Sequence, residues 1–126
     1  MNQATPSKKV LVVEDEEDMI FIVERRLKGE GFKVTSAMSG AEALKKLNAE
    51  RPDVVLLDVV LPDVDGFDLC RQIKTEIDPT IKVIVYTGKL EKVDVALARK
   101  SEADELVVKS EDLQTVVNTI QDFFDA

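Results

Sequence analysis

The segment VVLLDVVLPDVDG, residues 54–66, decides the fold predicted for this chain. Its first four residues form an unbroken apolar run rich in β-branched side chains, which is typical of a strand covered by helices on both faces. Asp58 follows at once, and the proline, aspartates and glycine of residues 61–66 then indicate an exposed loop. The sequence therefore places Asp58 at the junction between a buried strand and a loop.

An aspartate at the end of a strand is, by itself, more often a turn former or a helix cap than a chemical group. Asp58 stands out because other apolar runs of the chain also end in polar side chains. These side chains are Glu14 and Asp15 after residues 10–13, Thr87 after residues 81–86, and Lys109 after residues 106–108. Each could be an unrelated terminator, but a set made of acids, a hydroxyl and a lysine favours a shared function.

The composition describes one soluble, acidic domain. The chain has 126 residues, 44% of them hydrophobic and 33% charged, with a net charge of -8. Nucleic-acid binding relies on a basic surface, so the charge argues against direct contact with nucleic acid. No stretch is long and apolar enough to predict a membrane span.

The counts of cysteine and histidine exclude some kinds of chemistry. The single cysteine, Cys70, excludes an internal disulfide and fits a reducing, cytoplasmic setting. It lies on the apolar stripe of a predicted helix and is interpreted as a core residue rather than a reactive thiol. The chain has no histidine, so catalysis by a histidine base within the chain is excluded.

The order of predicted elements defines the fold class. Residues 1–7 are predicted to be a disordered leader and residues 8–126 to be the domain. Strands are predicted at 10–13, 32–37, 54–57, 81–86 and 106–108, each followed by an amphipathic helix. Such alternation predicts an α/β fold, a parallel sheet with five helices on its two faces.

In a parallel sheet the carboxyl ends of all strands meet at one edge, where ligands of such folds bind. Glu14, Asp15 and Asp58 would repel one another there unless a cation neutralised them. A hard divalent ion such as Mg²⁺ suits carboxylate ligands. Asp58 would then be a nucleophile toward a phosphoryl group, with Thr87 and Lys109 holding its oxygens.

These residues give the chain a resemblance to the receiver domain of bacterial two-component response regulators, of the stand-alone type. The motifs that carry it are VLVVEDE at 10–16, LLDVVLPDVDG at 56–66, Thr87-Gly88, and ADELVVK at 103–109. The resemblance implies a flavodoxin-like sheet with strand order 2-1-3-4-5. It also implies that Asp58 accepts a phosphoryl group and that Mg²⁺ is held by Asp15, by Glu14 through water, by Asp58, and by the backbone carbonyl of Val60.

The resemblance also implies partners. A sensor histidine kinase or a phosphotransfer protein would donate the phosphoryl group, and helix 4, strand 5 and helix 5 would contact a downstream protein. The domain would be a monomer or a weak homodimer, in contact with neither nucleic acid nor membrane. It would not be an enzyme beyond catalysing its own phosphorylation and dephosphorylation.

Three positions depart from the family pattern. Leu106 stands where the family usually has an aromatic residue that moves with the threonine. Ser110 follows Lys109 in place of the usual proline, so we predict a trans peptide bond and a helix cap there. Lys89 stands where the family more often has an acid or another polar residue, and it either reaches the phosphoryl site or is solvated.

The same residues bear on alternative functions. The missing aromatic and proline leave open a degenerate receiver that binds proteins without being phosphorylated. An aspartate-nucleophile phosphatase needs an acid two residues after the nucleophile, where this chain has Val60. The acidic first loop suits neither a flavin nor a nucleotide phosphate loop.

Overall fold

The computed structural model describes residues 8–88, 95–109 and 113–125. Five strands form one parallel sheet in the order β2-β1-β3-β4-β5. Their bounds are β1 Lys9–Val13, β2 Lys33–Ala37, β3 Val54–Leu57, β4 Lys82–Thr87 and β5 Glu105–Val108. The predicted parallel sheet and its strand order are confirmed.

Five helices lie on the two faces of the sheet in the described part of the chain. Their bounds are α1 Glu17–Gly29, α2 Gly40–Ala49, α3 Gly66–Gln72, α4 Val95–Lys100 and α5 Leu113–Phe124. A π-helical turn, Ile73–Ile77, continues α3. None of these helices combines the length and apolarity needed to cross a membrane.

Alternation along the central strands divides the apolar side chains between two cores. Leu11 and Val13 of β1 pack with α2 and α3, whereas Val10 and Val12 pack with α1 and α5. All four side chains are buried, because a parallel sheet is covered on both faces. Strand β2 lies at the edge of the sheet and alternates between exposed and part-buried residues before Ala37.

The strand register aligns the predicted functional residues at one edge. Val13 pairs with Leu57, and Thr87 pairs with Val108. The backbone bonding continues past the strands, because the N–H of Asp58 donates to the Val13 carbonyl at 3.0 Å and the N–H of Lys109 to the Thr87 carbonyl at 2.7 Å. The backbone at Asp58 and Lys109 is therefore held by neighbouring strands.

Several predictions concern residues outside the described ranges. They are the disordered leader at 1–7, the role of Lys89, the start of the fourth helix at Leu90 and Val93, and the Ser110 cap with its preceding peptide bond. The described part of helix α4 begins at Val95, and that of α5 begins at Leu113.

Candidate functional site

Asp58 lies directly after β3 and is 6% exposed. Its Oδ1 accepts the N–H of Val60 at 3.0 Å, and its Oδ2 accepts the Lys109 ammonium at 2.8 Å. Both carboxylate oxygens are thus held, one by the backbone and one by a charge from another strand. A carboxylate held in this way has a fixed orientation, which is what a nucleophile of defined geometry requires.

Glu14 contacts Lys109, the same lysine that contacts Asp58. The side chain of Glu14 is buried, its Oε1 lies 2.5 Å from the Lys109 ammonium, and its Oε2 accepts the N–H of Glu16 at 3.2 Å. Burial raises the pKa of Glu14 above its ordinary value, and the hydrogen bond to Lys109 opposes that rise. Burial disfavours the charge of Lys109 too, but its bonds to Asp58 and Glu14 outweigh it and raise the lysine pKa. Lys109 is therefore an ammonium at neutral pH.

Asp15 adds a third carboxylate to the cluster. Glu14, Asp15 and Asp58 each offer an oxygen within 4.8 Å of the other two. Asp15 is exposed and makes no side-chain hydrogen bond or ion pair with the residues that the structure describes. Three carboxylates thus face one ammonium, and the cluster has an excess of negative charge.

The cluster fits a divalent cation. Oxygen ligands bind Mg²⁺ at about 2.1 Å, so two of them on opposite sides of the ion are about 4 Å apart. The carboxylate oxygens of the cluster lie within 4.8 Å of one another, which is close to that distance. Because Asp15 lies on the solvent side, a bound ion would keep part of its water shell, as Mg²⁺ prefers.

Thr87 and Val60 border the cluster. Thr87 ends β4 and is 3% exposed. Val60 is 70% exposed, and its contact with Asp58 runs through its N–H rather than through the carbonyl that the resemblance assigns to the metal. The structure thus brings Glu14, Asp15, Asp58 and Lys109 together and places Thr87 beside Lys109 across the β4–β5 ladder.

Gly66 allows the acidic loop to fold back against the end of β3. A Cβ at this position would lie 2.4 Å from the Val59 Cα and 2.5 Å from the Asp58 carbonyl oxygen. The N–H of Gly66 donates to the Val59 carbonyl at 2.9 Å. Only glycine permits this close backbone approach, so the loop conformation next to Asp58 depends on it.

Asp63 is a residue whose contacts the sequence did not reveal. Its two carboxylate oxygens accept the N–H groups of Gly40 at 2.8 Å and Ala41 at 3.0 Å, at the start of α2. These bonds lower the pKa of Asp63 below its ordinary value. Ser39 and Glu42 have the spacing of a capping box, which predicts a helix start. The cap is present, with Ser39 Oγ accepting the N–H of Glu42 at 3.1 Å. The sequence therefore indicates where α2 begins, but it does not indicate the hydrogen bonds between α2 and Asp63 of the acidic loop.

Tyr86 is a second residue whose contact with the site was not predicted from the sequence, which indicated only that it belongs to a strand. Its ring centroid lies 5.7 Å from the Lys109 ammonium, and the residue is 5% exposed. Burial raises the pKa of its phenol, while Lys109 lowers it. The alternation of side chains along β5 could have indicated that Tyr86 lies near Lys109. Tyr86 pairs with Val107, and Lys109 follows Val107 by two residues.

Comparison with known proteins agrees with this geometry. The family model described as "Response regulator receiver domain" matches residues 10–121, and the chain belongs to that family. "Alkaline phosphatase synthesis transcriptional regulatory protein PhoP" of Bacillus subtilis is 37% identical over 103 residues, which are 82% of this chain and 42% of that protein. "Transcriptional regulatory protein CseB" of Streptomyces coelicolor is 38% identical over 112 residues, 89% of this chain and 47% of that protein. The chain thus spans less than half the length of these curated relatives.

Solved receiver domains share the whole fold. The structure titled "BeF3 Activated DrrB Receiver Domain" matches with a TM-score of 0.86 and 28% identity, over 96% of this chain and 100% of that one. The response regulator TrrA from Thermotoga maritima, solved in complex with Mg(2+)-BeF, matches with a TM-score of 0.84 and 29% identity, over 93% and 99%. The architecture described above is that of a receiver domain.

Proposed function

We propose that this chain is a phosphoacceptor module that receives a phosphoryl group on Asp58 from a histidine kinase or a phosphotransfer protein. The observation that carries the proposal is the charge excess around Asp58. Glu14 and Asp58 share the Lys109 ammonium, Asp15 adds a third carboxylate within 4.8 Å of both, and Asp58 is already oriented by Val60 N–H and Lys109. A structural cluster would balance its charges, whereas this one suits a cation and a transferred anion.

Transfer to Asp58 forms a bond between a carboxylate oxygen and phosphorus while the bond from phosphorus to the donor nitrogen breaks. Bound Mg²⁺ would neutralise charge on the carboxylates and on the phosphoryl oxygens. Glu14, Asp15, Asp58 and the Val60 carbonyl are the groups that would hold it. Lys109 would turn from the free carboxylate of Asp58 to the new phosphoryl oxygens, and Thr87 would bind another of them.

The energy available is enough for a switch. A phosphoryl group adds about 1.5 to 2 negative charges, and each charge-assisted hydrogen bond contributes about 1.5 to 3 kcal/mol. Reversing a two-state population from about 1:99 to 99:1 requires about 5.5 kcal/mol. Two such bonds, from Thr87 and Lys109, total about 3 to 6 kcal/mol, a range whose upper end reaches that value. We place the output face on α4, β5 and α5. Unchanged amide spectra of that face after addition of a phosphoryl mimic would contradict this assignment.

A protein-binding module that is never phosphorylated is the second candidate, and Leu106 favours it. Leu106 is half-buried against the core between the sheet and α2 and α3. With leucine at this position, no aromatic ring can move together with Thr87. The conformational change that the family usually makes on this face is therefore missing. The matched residues make up less than half of relatives that are DNA-binding or transcriptional regulators. Because this chain carries a net charge of -8, we assign to it contacts with proteins rather than with nucleic acid. The single, buried cysteine accords with a cytoplasmic setting.

The deciding experiment is phosphorylation by acetyl phosphate with magnesium, followed by mass spectrometry. The wild type is expected to gain about 80 Da, and Asp58→Asn is expected to gain nothing. Asp53→Asn is the matched control, because Asp53 lies at the opposite end of β3, where it accepts the N–H of Lys9 at 2.8 Å. Wild type that stays unmodified, or Asp58→Asn that is modified equally, would leave the binding module as the function.

A further inference from the structure

Tyr86 and Lys109 lie on the same face of the sheet. Tyr86 pairs with Val107 across β4 and β5, and Lys109 continues the alternation of Val107. Tyr86 and Val107 both belong to the core beneath α1 and α5. Leu106 instead packs against the opposite core, so Tyr86 lies on the other face of the sheet from the position of the family's usual ring.

Among the residues that the structure describes, three groups lie around the Lys109 ammonium. Glu14 and Asp58 accept its hydrogen bonds at 2.5 and 2.8 Å and account for two of its three N–H donors. The ring of Tyr86 lies 5.7 Å away, inside the range in which an aromatic face attracts a cation. The Lys109 side chain is only 14% exposed, so water screens this attraction little.

Burial distinguishes this contact from the other ring contacts of the protein. Lys8 and Lys82 also lie over rings, those of Phe124 and Phe123, and all four of these residues are partly exposed. A lysine stem is flexible, so the position of its ammonium depends on the groups that surround it. The buried ring of Tyr86, 5.7 Å from the ammonium, is such a group in addition to the two carboxylates.

We propose that Tyr86 is a positioning residue that keeps the Lys109 ammonium at Glu14 and Asp58, where it can meet an incoming phosphoryl group. The role in phosphoryl transfer rests on the proposed function, whereas the positioning itself does not. The aromatic ring carries the effect, and the phenol hydroxyl is dispensable.

The first test compares rates of mass gain with acetyl phosphate and magnesium. Tyr86→Leu removes the ring and is expected to slow the gain about five-fold. Tyr86→Phe keeps the ring and should react at the wild-type rate. Phe32→Leu removes another aromatic ring from the same core and should also leave the rate unchanged, because Phe32 has no cation contact within the described residues. A normal rate in Tyr86→Leu, or equal slowing in either of the other two variants, would overturn the proposal.

The second test needs no phosphoryl group. Protons of the Lys109 ε-methylene near an aromatic face are shifted upfield in the NMR spectrum. The shift is expected in wild type and Tyr86→Phe and should be lost in Tyr86→Leu, with urea unfolding used to verify that each variant is folded. If wild type gains no mass but shows this shift, the proposed function fails and the positioning stands. If wild type shows no upfield shift, the positioning is wrong whatever the mass spectra show.

Discussion

Lys74 and Lys109 are two largely buried lysines that each contact an aspartate at 2.8 Å, yet their surroundings differ. Lys74 bonds to Asp104 and also donates to the carbonyls of Pro79 and Ile81 at 3.0 and 2.9 Å. Asp104 in turn accepts the N–H of Val83 at 2.8 Å. One positive and one negative charge thus meet, and backbone groups satisfy the remaining bonds.

Lys109 instead faces two carboxylates, with Asp15 close to both. The charges around it do not balance, and one of the three acids, Asp15, is exposed to solvent. A balanced pair braces the fold, whereas an unbalanced cluster costs stability that a bound cation restores. The two lysines are alike in burial and in distance to an aspartate, so the difference between them is charge balance.

The largest effect is expected from breaking the balanced pair. Lys74→Met leaves the Asp104 carboxylate and two carbonyls without their donor, so the free energy of unfolding should fall by about 3 kcal/mol. Urea unfolding measures it, and magnesium should not restore the loss. Lys45→Met, the same change at an exposed position of α2, is the control and should stay within about 0.5 kcal/mol of wild type. Equal losses of unfolding free energy in both variants would show that the contacts of Lys74 do not stabilise the fold.

The unbalanced cluster should respond to magnesium. At an ion concentration about 100 times the dissociation constant, binding adds about 2.7 kcal/mol to stability, and a tenfold weaker affinity removes about 1.4 kcal/mol of that. Asp15→Asn is expected to show this loss in urea unfolding with magnesium, while being no less stable than wild type without it. Asp18→Asn, a neighbouring exposed acid in α1, should respond as wild type does. A magnesium response in Asp15→Asn equal to that of wild type would remove Asp15 from the site.

A smaller, pH-dependent effect is expected at Asp63. Its pKa is lowered by the N–H groups of Gly40 and Ala41, so its stabilisation is fully present above the ordinary aspartate value of 3.8. It is lost as the pH falls through the lowered folded-state pKa. Asp63→Asn should be less stable than wild type near neutral pH, and the gap should close in strong acid. Thermal unfolding across this range measures the gap, and the exposed Asp122→Asn should show none.

The smallest effect is expected at the exposed pair of Lys9 and Glu50. Their 2.6 Å contact raises the pKa of Lys9 and lowers that of Glu50, but the side chains are 42% and 64% exposed. Water screens such a pair, so Glu50→Gln should leave the urea midpoint within experimental error. A drop as large as that of Lys74→Met would contradict the comparison between buried and exposed pairs.

The long π-helical turn shows where local patterns stop being informative. The helical spacing of apolar residues from Phe67 to Ile77 predicts one continuous helix, but only Gly66–Gln72 is α-helical. The turn that follows closes with the N–H of Asp78 donating to the Ile73 carbonyl at 2.8 Å. Lys74 lies in this turn and bonds to Asp104, thirty residues later in the chain. Nothing in the local periodicity could signal a partner at that distance.

Sequence alone determined the strands, their parallel arrangement and the edge at which Glu14, Asp15, Asp58, Thr87 and Lys109 meet, because buried runs and strand direction depend on local composition and order. Tertiary structure alone decided which groups touch within that edge and around it. The bond from Lys109 to Glu14 joins residues 95 positions apart, and Asp63 reaches α2 across 23. Such contacts depend on how side chains of separate elements pack together, and hydrophobic periodicity carries no information about that packing.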